Sequence, residues 1–349
     1  MISASGMKVC YLHLGLHKTA SSSFQQTCAA NQAVLHEAGL LYPIFQCPQA
    51  QPPRLSINNH SVPLRSLYDT NPENYHINKR WKVKKLKLAN QNYAQQLDTA
   101  LLTDQSLILS GEGLSLLSLK ALRGLVGRIE AHGFLVRPWV VVRSPLDYAH
   151  SIAQQLVRGG QHLPLIGLGS LRPPRRSDVL TIPDGLKEIR RLQAVFEDRL
   201  VVVPFRRACR HPEGPVGYLL EEFCQIQQLD SIVFKQTQES KSNLWVRLQN
   251  ELNRRWPMFN QKKRLNPNYV RLKTQYSASG RFRLTQQELQ LLSVQLTQSN
   301  RDLAALLGEE FVEASPEVSV AISNADLLDL LSDLLRSDPP LQDSDRRRA

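Results

Sequence analysis

Short runs of consecutive apolar residues alternate with longer helical patterns through the first two thirds of the chain. The apolar runs predict four strands, at 7–14, 107–110, 138–142 and 200–204. The segments between them predict helices at 22–38, 111–132, 145–157 and 184–197. Short apolar strands that alternate with helices are typical of a parallel sheet covered on both faces. The expected fold class is therefore α/β, with three layers.

Two segments interrupt this alternation and carry little apolar pattern. Residues 43–80 are rich in Pro, Asn and Gln, and residues 159–182 contain Gly, Pro and Arg, so both are expected to be irregular loops. Between them, residues 81–102 have a helical and basic pattern. Beyond residue 240 the pattern predicts extra C-terminal helices, at 243–256, 285–307 and 324–336.

These patterns predict one α/β domain with additions at its C-terminal end. The domain is expected to span residues 7–311, followed by a helical extension at 312–336. The polar and charged segment 337–349 is expected to be a disordered tail.

Composition limits the classes of function. The 349 residues carry 43 Lys and Arg against 31 Asp and Glu, a net charge of +12, which suits an anionic ligand. A nucleic-acid partner would rest on this net charge alone, without an aromatic and basic binding motif, and is not expected. The five cysteines are far apart, so neither a disulfide framework nor a metal site is expected.

No apolar run approaches the roughly 20 residues that span a bilayer. The N-terminus also lacks the apolar core of a signal peptide. The protein is therefore expected to be soluble and cytoplasmic, with peripheral membrane contact left open.

A phosphate-binding pattern follows the first predicted strand. Here the sequence HLGLHKTASSSFQ places Gly15, Lys18 and four hydroxyl residues where a helix begins. Backbone N–H groups at a helix N-terminus favour an anion, and hydroxyls and a lysine add donors and charge. A nucleoside triphosphatase loop requires glycine directly before the lysine, whereas His17 stands there. A strand–turn–helix in which the serines only cap the helix is the alternative.

The segment resembles the 5′-phosphosulfate loop of the P-loop sulfotransferase family, whose bacterial members commonly read H-I-G-x-H-K-T-G-T-T-S-x-Q. Ala20 departs from this pattern, because the family usually has glycine there, and Ser21 and Ser22 stand where threonines are usual. The resemblance implies a P-loop, NTPase-like sulfotransferase fold. It also implies that the donor, 3′-phosphoadenosine-5′-phosphosulfate, whose product is 3′-phosphoadenosine 5′-phosphate, contacts this loop through Gly15, Lys18, Thr19, Ala20, Ser21, Ser22 and Ser23.

A second anion site is expected after the third strand. Arg143 ends that strand, where open α/β sheets bind their ligands, and Ser151 lies two turns into the next helix. The Arg-x-Pro…Ser spacing resembles the family's 3′-phosphate site. Without the first loop this pattern is weak, since an arginine before a helix is often only an ion-pair partner.

Transfer of a sulfuryl group also needs a proton acceptor and charge neutralisation. Lys18 is the expected stabiliser of the leaving phosphate, and no metal is required in the family. Glu112 directly follows the second strand between two glycines and is the first candidate for the base. His17 is the second candidate. His60 lies in the irregular segment and could reach the acceptor, although a solvated side chain is the expectation there, and His13 is expected to be structural.

The expected activity is transfer of a sulfuryl group from the donor to a hydroxyl of a carbohydrate, glycolipid or small-molecule acceptor. Two alternatives remain. A non-catalytic binding protein could keep the fold, because Ala20 and the uncertain base leave catalysis open. The other alternative is a P-loop kinase or NTPase. Its loop would have glycine directly before Lys18, where this chain has His17.

Overall fold

The computed structural model describes residues 7–176, 178–237, 240–259, 264–272 and 280–308, together with residues 325 and 328. The predicted tail at 337–349 and almost all of the extension at 312–336 lie outside the described residues. Among the described helices, none combines the length and the apolar character needed to cross a membrane.

The described strands, in chain order, are β1 (Lys8–His13), β2 (Leu40–Leu41), β3 (Phe45–Cys47), β4 (Arg54–Ile57), β5 (Ser106–Ser110), β6 (Phe134–Val142) and β7 (Val201–Pro204). The described α-helices are α1 (Ser21–Ala30), α2 (Gln32–Glu37), α3 (Ser61–Tyr68), α4 (His76–Arg80), α5 (Leu86–Leu101), α6 (Leu119–Ala131), α7 (Pro145–Arg158), α8 (Gly185–Phe196), α9 (Phe205–Cys209), α10 (Gly214–Tyr218), α11 (Asn243–Arg255), α12 (Gln286–Gln290) and α13 (Ser293–Leu307).

The described residues form two compact units. The first comprises the chain up to Tyr148, the part from Ile182 to residue 237, and the part from Thr297 to residue 308. The second comprises residues 149–181 and 240–296. Helices α7 and α13 each begin in one unit and end in the other.

The first unit is built on a five-stranded parallel sheet with the order β2-β5-β1-β6-β7. The first strand in the chain therefore occupies the centre. Its last residue, His13, pairs with Ser110 of β5 and with Trp139 of β6. The loops that follow the three central strands consequently start at one edge of the sheet, and this confirms the predicted α/β class and the parallel sheet.

Alternate side chains of the central strands enter two separate hydrophobic cores. Leu12 and Val140 pack on one face with residues of α5, α6 and α8. Tyr11 and Trp139 pack on the other face with residues of α1 and α10. Because successive side chains of a strand point to opposite faces, the sheet is covered on both sides, as the continuous apolar runs predicted.

The segment 43–80, predicted to be irregular, instead contains an antiparallel β3–β4 pair and two short helices, α3 and α4. Its polar composition hid these elements, since β4 exposes two of its four side chains and buries only one. The predicted helix at 22–38 is also divided, because Asn31 leaves helical geometry between α1 and α2. Gly39, with a φ of +75°, follows the end of α2 as expected.

The second unit contains α11, whose buried amide side chains hold the backbone around it. Asn250 bonds to the backbone of Leu163 through both its oxygen and its nitrogen, and Asn253 donates to the carbonyl of Val157. Arg247 is buried in an ion pair with Glu288, whose carboxylate also accepts a backbone N–H at the start of α12. Buried polar bonds therefore organise this unit together with buried apolar side chains such as Ile166 and Trp245.

Candidate functional site

The loop between β1 and α1 is fixed to the sheet before it turns. The backbone N–H groups of Leu14 and Leu16 donate to the carbonyls of Trp139 and Val141, both at 2.9 Å. Gly15 has a φ of +95°, and a Cβ there would lie 3.0 Å from the Cα of Glu112. Glycine is therefore required at this position both by backbone conformation and by the close approach of the neighbouring strand's loop.

The loop then adopts the left-handed conformation twice, at Lys18 (φ +68°) and at Ala20 (φ +64°). Left-handed residues in a tight turn direct backbone N–H groups into a concavity that favours anions. Ala20 is the N-cap of α1, provides no side-chain cap, and is followed by no acidic residue in the first turn. The first N–H groups of α1 therefore have no side-chain acceptor of their own and are suited to an anion.

The predicted hydroxyl groups of this loop have different environments. The Thr19 hydroxyl donates to the carbonyl of Leu16 at 2.6 Å, and the Ser23 hydroxyl lies 3.1 Å from that of Thr237. Ser22 is only partly buried. The Ser21 hydroxyl is buried and has no hydrogen-bond partner within the described part of the chain. A buried hydroxyl without a partner is costly, so Ser21 is the group that a bound anion would satisfy best.

Arg143 follows β6 and reaches back to the loop after β1. Its Nη1 donates to the backbone carbonyl of Lys18 at 2.9 Å, and its guanidinium lies over the ring of Phe205, 5.0 Å from the ring centre. The basic residues that follow two neighbouring strands, Lys18 and Arg143, are therefore joined at one edge of the sheet through the Lys18 backbone. Ser151 lies further along α7, in the second unit, and its expected role beside Arg143 stays a prediction.

Glu112 is held in place by α3. It begins a short 3-10 turn, Glu112–Leu116, directly after β5. The Ser61 hydroxyl accepts the Gly113 N–H at 2.8 Å, and a Cβ on Gly111 would lie 2.5 Å from the Ser61 nitrogen. The glycines on either side of Glu112 are thus needed for contact with α3, which fixes the turn that carries the carboxylate.

Glu112 and His17 come together from different strands. A carboxylate oxygen of Glu112 lies 3.7 Å from Nδ1 of His17, and both side chains are partly exposed. Burial raises the pKa of the Glu112 carboxyl, but His17 and the positive charge of Lys18 more than compensate, so that the net pKa lies below its usual range. Glu112 is therefore ionised at neutral pH and places a negative charge beside the His17 ring.

The other two histidines near these strands are buried and structural. His60 accepts the Ser110 N–H at its Nδ1 (2.9 Å), and its Nε2 lies 2.7 Å from the Pro43 carbonyl. Burial lowers the pKa of His60 and of His13 to about 4 in each case. The expectation of a solvated His60 is wrong, because the side chain links β5 to the segment after β2. The structural assignment of His13 agrees with its complete burial.

A small cleft opens beside His17. It has a volume of about 110 Å³ and lies entirely within the first unit. Arg143 and Tyr148 line it together with apolar side chains from several segments: Leu16, Leu116, Val142, Pro145, Ile182 and Leu303. The three loops after β1, β5 and β6 therefore border a single solvent-accessible space.

Sequence reasoning missed two residues that organise this edge. Phe205 supports the Arg143 guanidinium, and Ser61 supports the turn at Glu112. Phe205 directly follows β7, as Arg143 directly follows β6, so its position at the end of a predicted strand was a usable signal. Nothing in the sequence around Ser61 indicates its partner.

No family model matches the chain, and a search of curated proteins finds no significant match.

Proposed function

We propose that the chain is a sulfotransferase that uses 3′-phosphoadenosine-5′-phosphosulfate as its donor and a hydroxyl compound as its acceptor. The observation that carries the proposal is the bond from Arg143 to the Lys18 carbonyl, which brings the basic ends of two neighbouring strands together. One cationic group alone would suit any anion. Two of them, beside a helix N-terminus without a cap, suit a ligand that carries two phosphates.

The residues present fit such a donor. The uncapped start of α1, the buried Ser21 hydroxyl and Lys18 would hold the 5′-phosphosulfate, and Arg143 would hold the 3′-phosphate. This arrangement, at the end of the central strand of a parallel sheet, supports the P-loop type of sulfotransferase fold that the sequence resembles. The donor supplies the sulfuryl group, whose bond to the phosphate oxygen breaks as the acceptor oxygen bonds to sulfur.

Side chains at this edge of the sheet would neutralise the charge on the leaving phosphate and accept the proton of the acceptor hydroxyl. Lys18 neutralises negative charge that develops on the leaving phosphate. The acceptor hydroxyl loses its proton to His17 or to Glu112, which lie 3.7 Å apart. Because Glu112 lies behind the more exposed His17, we favour His17 as the group that contacts the acceptor and Glu112 as its charge partner.

Calorimetric titration with 3′-phosphoadenosine 5′-phosphate tests the donor site. Arg143→Ala should weaken binding by about 10- to 100-fold, the effect of losing a charge-assisted hydrogen bond. Arg199→Ala is the matched control, because Arg199 is half exposed and precedes β7 at the opposite edge of the sheet, where it pairs with Glu130. Equal affinities for Arg143→Ala and the wild type would eliminate Arg143 from the donor site.

Turnover with radiolabelled donor tests the proton acceptor. His17→Gln and Glu112→Gln should each retain nucleotide binding and lose at least about 100-fold in turnover, the usual contribution of a general base. Full activity of either variant removes that residue from the reaction. Nucleotide binding without transfer to any acceptor would instead favour a non-catalytic binding protein, and magnesium-dependent ATP hydrolysis would favour a kinase or NTPase.

A further inference from the structure

Residues 79–87, which we call the basic segment, concentrate positive charge at the surface of the first unit. Six of their side chains are basic and exposed: Lys79, Arg80, Lys82, Lys84, Lys85 and Lys87. No Asp or Glu occurs between Glu73 and Asp98. Within the described part of the chain, none of the six forms an ion pair. The basic segment therefore carries positive charge that no neighbouring carboxylate neutralises.

The backbone of the basic segment is fixed to the rest of the first unit. The Gln51 N–H donates to the carbonyl of Trp81 at 2.8 Å, and the Lys84 N–H donates to the carbonyl of Gln49 at 3.2 Å. The side chains of Trp81 and Val83 pack against the hydrophobic core. Because these apolar residues hold the segment in place, the basic side chains between them form a defined surface rather than a loose tail.

The charges lie where they do not stabilise the protein itself. Lys85 is the N-cap of α5, has a φ of +55° and provides no side-chain cap. Lys87 lies in the first turn of α5, which contains no acidic residue. A helix N-terminus has partial positive charge, so lysines there are repelled by it. Charges that are unfavourable within the protein and exposed at its surface indicate a negatively charged partner.

The other side chains of this surface distinguish between classes of negatively charged partner. Single-stranded nucleic acids stack their bases on free aromatic faces. The ring of Trp81 packs on the core and has the Arg54 guanidinium over it, 5.2 Å from the ring centre. The exposed apolar residue next to the lysines is aliphatic, because Leu88 in the first turn of α5 is 41% exposed. Lysines beside an exposed leucine suit a bilayer surface, which offers both anionic headgroups and hydrocarbon.

We infer that residues 79–88 are a docking surface for a membrane that contains anionic phospholipids. The lysines would contact the lipid phosphates and carboxylates, and Leu88 would enter the boundary of the acyl chains. Clusters of about four to eight basic residues bind anionic bilayers in this way, and the attraction is screened by salt. The docking surface contains none of the residues assigned to the donor or to the proton acceptor, so the inference does not depend on the proposed function.

Sedimentation of the full chain with lipid vesicles tests the inference. Phosphatidylcholine vesicles with roughly one third phosphatidylserine should retain the protein, and pure phosphatidylcholine vesicles should not. Lys84→Glu/Lys87→Glu should weaken binding to the mixed vesicles at least about 30-fold, the effect of losing two basic residues at a charged surface. Lys120→Glu/Lys187→Glu is the matched control, because both lysines are exposed in the same unit and the net charge changes equally.

Two further measurements separate binding from folding. Glutamate at position 87 places a negative charge in the first turn of α5, where it is favourable, so the urea midpoint of Lys84→Glu/Lys87→Glu should not fall below that of the wild type. Raising the salt concentration from about 0.1 M to about 1 M should release the wild-type protein from the mixed vesicles.

Several results would overturn the inference. These are equal vesicle affinity of Lys84→Glu/Lys87→Glu and the wild type, equal retention by pure phosphatidylcholine, retention at high salt, and an equal loss in the control variant. Tighter binding to a soluble sulfated polysaccharide than to the mixed vesicles would also overturn it, because the partner of the surface would then be a polyanionic glycan.

Discussion

Ala20 adopts a backbone conformation that the family resemblance assigns to glycine. Its φ of +64° and ψ of +15° lie in the left-handed region. An L-residue in that region costs about 1–2 kcal/mol. Glycine avoids this cost but loses about 0.5–1 kcal/mol more conformational entropy on folding than alanine does. We therefore expect Ala20→Gly to raise the free energy of unfolding by about 0.5–1 kcal/mol.

Urea unfolding at neutral pH measures this difference, and the slope of the transition should not change. Ala94→Gly is the matched control, because Ala94 lies in the interior of α5, where the backbone is helical. The same chemical change should lower the free energy of unfolding there by about 1 kcal/mol. The two substitutions are thus expected to shift the midpoint in opposite directions.

A destabilised Ala20→Gly variant would refute the reasoning. It would mean that the Ala20 methyl group contributes more to packing than the left-handed backbone costs. In that case alanine would be compatible with the left-handed turn of the loop, and its presence at position 20 would be no argument against donor binding.

Three other predictions concern separate parts of the molecule. Glu288→Gln should lower the free energy of unfolding by about 3–5 kcal/mol in urea, because it leaves Arg247 buried without its counter-charge, whereas Arg254→Gln, at an exposed pair, should have little effect. Because burial lowers the pKa of His13 and His60 to about 4, the unfolded chain binds protons that the native state does not between pH 6.5 and 4. Stability should therefore fall as the pH drops from 6.5 to 4, with a smaller slope in His60→Gln; an unchanged slope would contradict the burial of His60. Phe205→Leu should weaken nucleotide binding about threefold in calorimetry through loss of the cation–π contact to Arg143, and unchanged affinity would show that the ring does not support the guanidinium.

The sequence predicted the central strands well because apolar runs mark strands buried on both faces. It placed the start of the third strand at Pro138, whereas β6 begins at Phe134. Along β6, successive N–H groups point alternately towards β1 and towards β7. Pairing with β7 begins only at Trp139. Pro138 therefore stands where the adjacent strand has not yet begun, and its missing N–H costs no ladder bond.

Site residues that directly follow a strand could be predicted from the sequence. Contacts between residues that are far apart in the chain could not. Lys18, Glu112 and Arg143 each lie just beyond the end of a predicted strand, which is the signal that identified them. The pairing of His17 with Glu112 depends on the close approach of the loops at Gly15. That approach follows from the position of β1 between β5 and β6, which local sequence patterns do not specify.

The central position of β1 also affects how the chain can fold. Its parallel partners are β5 and β6, which begin at Ser106 and Phe134, so neither is available early during synthesis. Contacts this far apart in the chain form slowly, because a long loop must close before the pairing contributes any stability. Until β5 has emerged both edges of β1 are unpaired, and until β6 has emerged one edge stays unpaired and accessible to other chains. The first strand made is therefore among the last to be protected, and chains truncated before Phe134 are expected to aggregate rather than to form a smaller version of the sheet.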